Sequence, residues 1–278
     1  MNYDLTYLSF GAGVQSTALL VASALGLHGV PKADCAIFAD PGAELPATYR
    51  HVEYMTKWAG ERGIPVHVVS AGNLERALLG LESSRKSGLI VSIPSFTLNP
   101  DASKGMLRRQ CTDHYKIDPI QKKVRALLGL KHRERAGKKK ALAMIGISMD
   151  ELIRMKPSRV PYIENAHPLI DAKLTRHGCL RIIEEHGIQR PPKSACHFCP
   201  YHGDRAWQEL AATDPETFAR AVVIDEAIRD LTWAGVNNPV YLHRSCTPLS
   251  EMPFAERADQ GKLFNDGFEN ECSGMCGV

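Results

Sequence analysis

The chain contains no apolar run approaching the roughly 18–20 residues needed to span a bilayer, so no membrane partner is expected. Met1-Asn2-Tyr3-Asp4 lacks the basic start and apolar stretch of a secretory signal, which predicts a cytoplasmic protein. Charge of one sign is scarce too. With 34 Lys and Arg against 31 Asp and Glu, the net charge of +3 gives no global field that demands a polyanionic partner. Nor is there a dense cysteine framework of the kind that staples small secreted domains, since eight cysteines are spread over 278 residues.

What is present is ordinary globular material, 44% hydrophobic and 23% charged, enough for one large α/β domain and an appendage. "DLTYLS", "DCAIFAD" and "IPVHVVS" read as strands, separated by the helices "VQSTALLVASAL" and "PATYRHVEYMTKWAGER". Short apolar strands alternating with amphipathic helices predict an α/β fold: an open, mostly parallel twisted sheet with helices on both faces, Rossmann-like. "NLERALLGLE" starts another helix, and Ser83 to Gln110 then loses periodicity and reads as one long loop. "YKIDPIQKKVRALLGL" restores a helix, "ALAMIGIS" is a further buried strand, and "LTRHGCLRIIEEHG" is a helix closed by Gly187. Helical stretches at Arg205–Ala212 and Pro215–Leu231 precede an irregular cysteine-bearing tail. The expected division is an α/β unit over 1–190 and a Cys-rich region over 191–278 packed on it.

Between the first strand and helix lies Ser9-Phe10-Gly11-Ala12-Gly13, followed by Gln15, Ser16 and Thr17. Backbone N–H groups at a glycine turn, joined to a helix N-terminus, favour negative charge. Ser16 and Thr17 add hydroxyl donors. No Lys follows the last glycine, which excludes a Walker A loop, and Ser16 stands where a GxGxxG motif needs its third glycine.

"SFGAGVQSTAL" resembles a variant of the PP-loop, S-G-G-x-D-S-T, of the adenine-nucleotide α-hydrolase superfamily, which includes the N-type ATP pyrophosphatases and the phosphoadenylyl-sulfate (PAPS) reductases. Gly11, Ala12 and Gly13 fall on S-G-G, and Gln15 replaces the aspartate. "IFADPGAELPATY" is similar to the reductase-like "xxDTGxxFPETY", and "GISMDELIR" resembles "GxRxxEsxxR". The resemblance implies a HUP-type nucleotide-binding unit. Asp40, Gly42, Glu44, Asp150 and Glu151 join Ser9–Thr17 around the nucleotide, a carboxylate being suited to Mg²⁺ or a ribose hydroxyl. Arg154 is then expected to pair with a phosphate or sulfate oxygen. An ordinary helix-surface ion pair between Glu151 and Arg154 is the simpler alternative.

The cysteines add a second theme. Cys35, inside "DCAIFAD", reads as a small core residue. Cys196-x-x-Cys199 in a turn-rich stretch suits a metal better than a redox motif, which normally opens a helix after a strand. "RRQCTDHYKIDPI" resembles the segment where cluster-bearing relatives have a Cys-Cys pair before K-x-x-P-[LI]. Lys116, Pro119 and Ile120 keep that frame, but only Cys111 of the pair remains. The resemblance implies a [4Fe–4S] cluster on Cys111, Cys196 and Cys199, with Cys179, Cys272, a histidine or no residue at all as fourth ligand. Zinc, with His197 or His202, is the alternative. "NECSGMCGV" resembles the reductases' terminal E-C-G-[LI]-H, which implies Cys272 as nucleophile and Cys276 as a second, resolving thiol. Arg244, in "YLHRSCTPL", is positioned to lower a neighbouring thiol's pKa or bind phosphate.

Lys131 to Lys140, "KHRERAGKKK", carries seven basic residues against one glutamate, which suits either a solvated loop or a contact to a nucleic-acid backbone. The leading expectation is therefore an enzyme that cleaves ATP between its α- and β-phosphates and transfers sulfur to an acceptor, possible acceptors including nucleic acid held by this loop. An Fe–S cluster and a sulfur-donor protein would assist. PAPS or APS reduction through Cys272 is the alternative. A non-catalytic nucleotide-binding module, or a zinc-stapled nucleic-acid binder, is the expectation from another class.

Overall fold

The computed structural model describes residues 2–82, 93–252 and 254. The first strand, β1 (Leu5–Ser9), leads through the glycine turn into α1 (Val14–Leu25). β2 (Cys35–Asp40), α2 (Pro46–Gly60), β3 (Val66–Ser70) and the short α3 (Leu74–Leu78) follow. Then come β4 (Phe96–Leu98), β5 (Lys104–Met106), a π-helical turn over Asp113–Ile117 and α4 (Asp118–Leu127). β6 (Ala141–Ile145), β7 (Ile163–Ala166), α5 (Pro168–Asp171) and α6 (Arg176–Glu185) complete the first layer system. α7 (Asp204–Thr213), α8 (Pro215–Ala227) and β8 (Val240–Tyr241) close the described chain.

Five strands form one parallel sheet in the order β3-β2-β1-β6-β7. Alternation along the strands sends side chains to two separate cores. Leu8, Phe10, Phe38 and Met144 pack beneath α1, α2 and α6, while Tyr7, Ile37 and Ala143 pack against Ile120 and Val124 of α4. Both faces are thus covered, as the near-continuous apolar strands require. The chain runs outward from β1 through β2 to β3, then returns to lay β6 on the other flank of β1. The crevice between β1 and β6 at their C-terminal ends is the switch point where such sheets bind ligands.

Ser83 to Gln110 is not one loop: its described part contains β4 and β5, which pair with β8 in a small antiparallel sheet of order β5-β4-β8. Three-residue strands show no period in sequence, and β8 pairs with β4 from far along the chain. A third core joins Ala43, Leu74 and Tyr115 to Phe198, Trp207, Ile224 and Val240. Residues on both sides of the expected boundary at 190 therefore build the same core. Asp225 fastens it from within: fully buried, its carboxylate accepts from Leu242 N at 2.7 Å and Leu249 N at 3.1 Å and pairs with Arg229. Among the described residues, no helix is long and apolar enough to cross a membrane.

Candidate functional site

The glycine turn is shaped by its own backbone. Ala12 takes a left-handed conformation, φ 58°, and Gly13 enters α1 in extended backbone. Successive N–H groups arranged this way make an anion-binding concavity. Ser16 Oγ accepts from Gly13 N and donates to Gly13 O, both at 3.2 Å, and so caps the helix while lining the pocket. Thr17 does not join it. One residue further along a helix is a rotation of about 100°, and the Thr17 hydroxyl lies fully buried against His51 Nε2 at 2.9 Å. Thr17 thus holds α1 on α2 rather than offering its hydroxyl to an anion. Burial pulls the His51 pKa down to about 4, so its ring is neutral near pH 7.

A cavity of about 90 Å³ opens at the switch point, lined by Ser9, Gly11, Gly13, Gln15 and Ser16 from the turn. Four cations converge on it from distant parts of the chain: Lys116, Arg154, Arg176 and Lys193. Glu151, on the turn that follows β6, is the one carboxylate among the lining residues, and it is ion-paired with Arg154. The pair has the spacing of the simpler sequence alternative, but it is largely buried and both members line the cavity instead of an exposed helix surface. Gly146, at the end of β6, makes the close approach possible. A Cβ there would sit 2.8 Å from Ser16 N and 2.9 Å from Ser16 Cα.

The other expected nucleotide-site carboxylates are engaged elsewhere. Asp40 Oδ1 accepts from Gly42 N and from Tyr49 Oη, each at 2.7 Å, which closes the turn after β2. Gly42 has φ +71° and its carbonyl accepts from Asn73 Nδ2, so it serves the turn and not a ligand. The Glu44 side chain is fully buried, and Lys116 Nζ lies 2.9 Å from its Oε1. Ser194 Oγ donates to the second oxygen at 3.4 Å. Asp150 Oδ2 accepts from Ser148 Oγ and from Arg176 N, capping the approach to α6.

Three of the four expected metal-ligand cysteines share a second cavity. Cys111, Cys196 and Cys199 line an apolar space of about 30 Å³ among Leu74, Ile93 and Phe198. That volume holds one or two waters. Cys199 N donates to Cys196 O at 3.0 Å across the CxxC turn. Burial raises the Cys196 thiol well above its ordinary pKa; Glu44 adds to the shift and Lys116 opposes it. Cys179 is elsewhere: it projects from α6 into the core beneath α1, where burial pushes its pKa up to about 12. The helical period that places Ile182 and Ile183 in that core places Cys179 there too. His197 Nδ1 donates to Ala43 O and His202 Nε2 to Cys196 O, which leaves His197 Nε2 and His202 Nδ1 buried without a hydrogen-bond partner. Among the described residues, no three His, Cys, Asp or Glu side chains come together to hold a metal ion. Of the expected cluster ligands, Cys111, Cys196 and Cys199 thus share one cavity, Cys179 does not, and Cys272 lies outside the described residues.

Arg244 lines neither cavity; it is exposed and pairs with Asp204 at 3.2 Å, beside the buried His243. Cys272 and Cys276 lie outside the described residues. The basic stretch Lys131–Lys140 stands just before β6, where Lys140 O accepts from Asp4 N and Lys140 N donates to Asp4 Oδ2, ahead of β1. This is the N-terminal edge of the sheet, about 17 Å of strand away from the pocket.

Sequence reasoning named Lys116 only as part of a frame, and missed Arg176, Lys193, Ser194 and Gly146. Arg176 had a signal, since it follows a helix-capping threonine. Lys193-Ser194 directly precedes the CxxC segment, and Glu44 bridges to Cys196. Lys116 lines both cavities.

Fold and site together define an open parallel α/β protein with a cation-lined pocket at its switch point and a thiol-lined cavity beside it. No protein-family model matches the chain, and no curated protein does. Among solved structures, the chain is similar to the crystal structure of phosphoadenylyl-sulfate (PAPS) reductase from Candida auris in a phosphate complex. The TM-score is 0.43 and the identity 17%, over 68% of this chain and 76% of that one.

Proposed function

We propose that this chain is an enzyme that holds an adenine nucleotide by its phosphate chain at the switch point and performs thiol-based sulfur chemistry on it. The observation that carries this reading is the shared wall: Lys116 faces both the anion pocket and the cavity of Cys111, Cys196 and Cys199. An anion in one cavity and sulfur in the other are then neighbours across a single side chain. Turn N–H groups and four cations would stabilise the charge that develops on a departing phosphate. Adenine rests on the motif resemblance alone.

Reduction of PAPS or APS is the route this geometry supports best. A thiolate attacks the sulfate sulfur, an S–S bond forms and the S–O bond breaks. The nucleotide phosphate leaves with the electron pair. A second thiol then attacks the protein sulfur of that S–S bond, giving a disulfide and releasing sulfite. Two thiols are oxidised as sulfur is reduced by two electrons. The motif resemblance gives Cys272 the first attack. ATP-dependent sulfur transfer to a nucleic acid loses the support it drew from the basic stretch, which stands at the opposite sheet edge.

The test is anaerobic incubation of the full chain with PAPS, APS or ATP, scoring sulfite, pyrophosphate and AMP, with Cys272→Ser in parallel. Sulfite that disappears in Cys272→Ser supports the reductive route. Pyrophosphate and AMP from ATP, without sulfite, would overturn it in favour of adenylation. No product from any nucleotide would leave a binding module without chemistry.

A further inference from the structure

The expected Mg²⁺ does not fit the residues at the glycine turn. Asp40, Glu44 and Asp150 do not line the pocket, and Glu151, which does, is ion-paired with Arg154. At the head of α1 stands Gln15, an uncharged side chain that is only 7% exposed. Arg176 Nη1 donates to Gln15 Oε1 at 3.0 Å. A guanidinium has donors only, so it fixes the amide with oxygen toward itself. The other end, Nε2, is buried in the pocket lining with no hydrogen-bond partner. Buried donors are rarely left unmet without a reason, and an arriving acceptor removes the penalty.

We propose that this pocket takes its phosphate or sulfate group free of divalent metal, with Gln15 Nε2 donating to a ligand oxygen and Arg176 as the positioning residue that orients the amide. Lys116, Arg154, Arg176 and Lys193 outnumber their carboxylate partners Glu44 and Glu151 by two, so the wall stays positive without a metal and would repel one. Gln15 then sets specificity: a donor at this point favours a bare oxyanion, whereas a carboxylate would demand an intervening cation. The inference rests on the anion-pocket reading above and deepens it.

The experiment is calorimetric titration of the full-length protein with inorganic pyrophosphate, in EDTA and in excess Mg²⁺. Wild type is expected to bind in EDTA, with no tightening in Mg²⁺. Gln15→Met keeps the shape, removes the donor and should weaken binding about tenfold in either condition, the scale of one hydrogen bond to a charged group. Gln15→Glu keeps an oxygen for Arg176 and should bind more weakly still in EDTA, recovering when Mg²⁺ is added. Circular dichroism melts check that both variants fold. Wild-type binding that appears only with Mg²⁺ would overturn the inference and leave the pocket reading intact. Unchanged affinity in Gln15→Met would likewise overturn it. Absence of pyrophosphate binding in both conditions would sink the anion-pocket reading itself.

Discussion

Lys116→Met removes the cation from the wall between the two cavities, and its cost follows from burial. The Glu44 side chain has no exposure and that of Lys116 has 11%. With the ammonium gone, the carboxylate keeps Ser194 Oγ at 3.4 Å as its remaining side-chain donor. Breaking one side of a buried pair costs about 3–5 kcal/mol, because a charge is left without compensation. At roughly 2–4 °C per kcal/mol for a chain of this size, the melting temperature should fall by about 6–20 °C. The double variant Lys116→Met/Glu44→Leu removes both charges and should recover most of that loss. Urea unfolding followed by circular dichroism measures all three proteins and gives the coupling energy directly. Pyrophosphate affinity should stay low in the double variant, since the lining cation is absent from it as well. A single variant within about 1 kcal/mol of wild type, or a double variant no better than the single, would refute the claim that these two buried charges compensate each other.

Gly146→Ala should weaken pyrophosphate binding by about tenfold or more, because the new methyl meets the Ser16 backbone and displaces the turn; unchanged calorimetric affinity would refute this. Stability should fall as pH drops from 6.5 toward 4. His51 and His202 stay neutral in the fold down to about 4 and take up a proton on unfolding, so their contribution is complete above 6.5 and lost below it. His51→Gln, which cannot titrate, should make the urea-midpoint profile shallower, and an identical slope would count against the assignment. Burial raises the thiols of Cys35 to about 11 and Cys179 to about 12. Both should resist iodoacetamide in the native protein and react after unfolding, as mass spectrometry of the two peptides can establish.

The parallel sheet was legible because its central strands are buried on both faces and its strands read as apolar runs bounded by polar turns; β1, β2, β3 and β6 stand where those runs predict. The anion pocket was half legible. A glycine turn at a strand–helix junction is a local signal, so Ser9, Gly11, Gly13 and Ser16 could be found from spacing. Lys116, Arg176 and Lys193 could not be, since each is an ordinary basic residue until the fold brings it to the same crevice. Thr17 shows the opposite error. Its hydroxyl beside Ser16 looked like a second donor, but the helical turn directs it into the core. β4, β5 and β8 are two or three residues long, and pairing rather than period makes them strands.

The π-helical turn at Asp113–Ile117 has a consequence for how this site tolerates change in chain length. Five residues along a regular α-helix turn through about 500°, which would leave Lys116 about 140° around the axis from Cys111. The π-turn, with its i→i+5 hydrogen bonds, takes up the extra residue, and both side chains reach the thiol cavity together. Deleting any one residue between Cys111 and Lys116 would let the segment relax into an ordinary helix in which the two stand four residues apart, about 40° around the axis and still on one face. Loss of one codon here is therefore expected to keep thiol and ammonium together, so the π-turn reads as a one-residue insertion absorbed without uncoupling the two cavities.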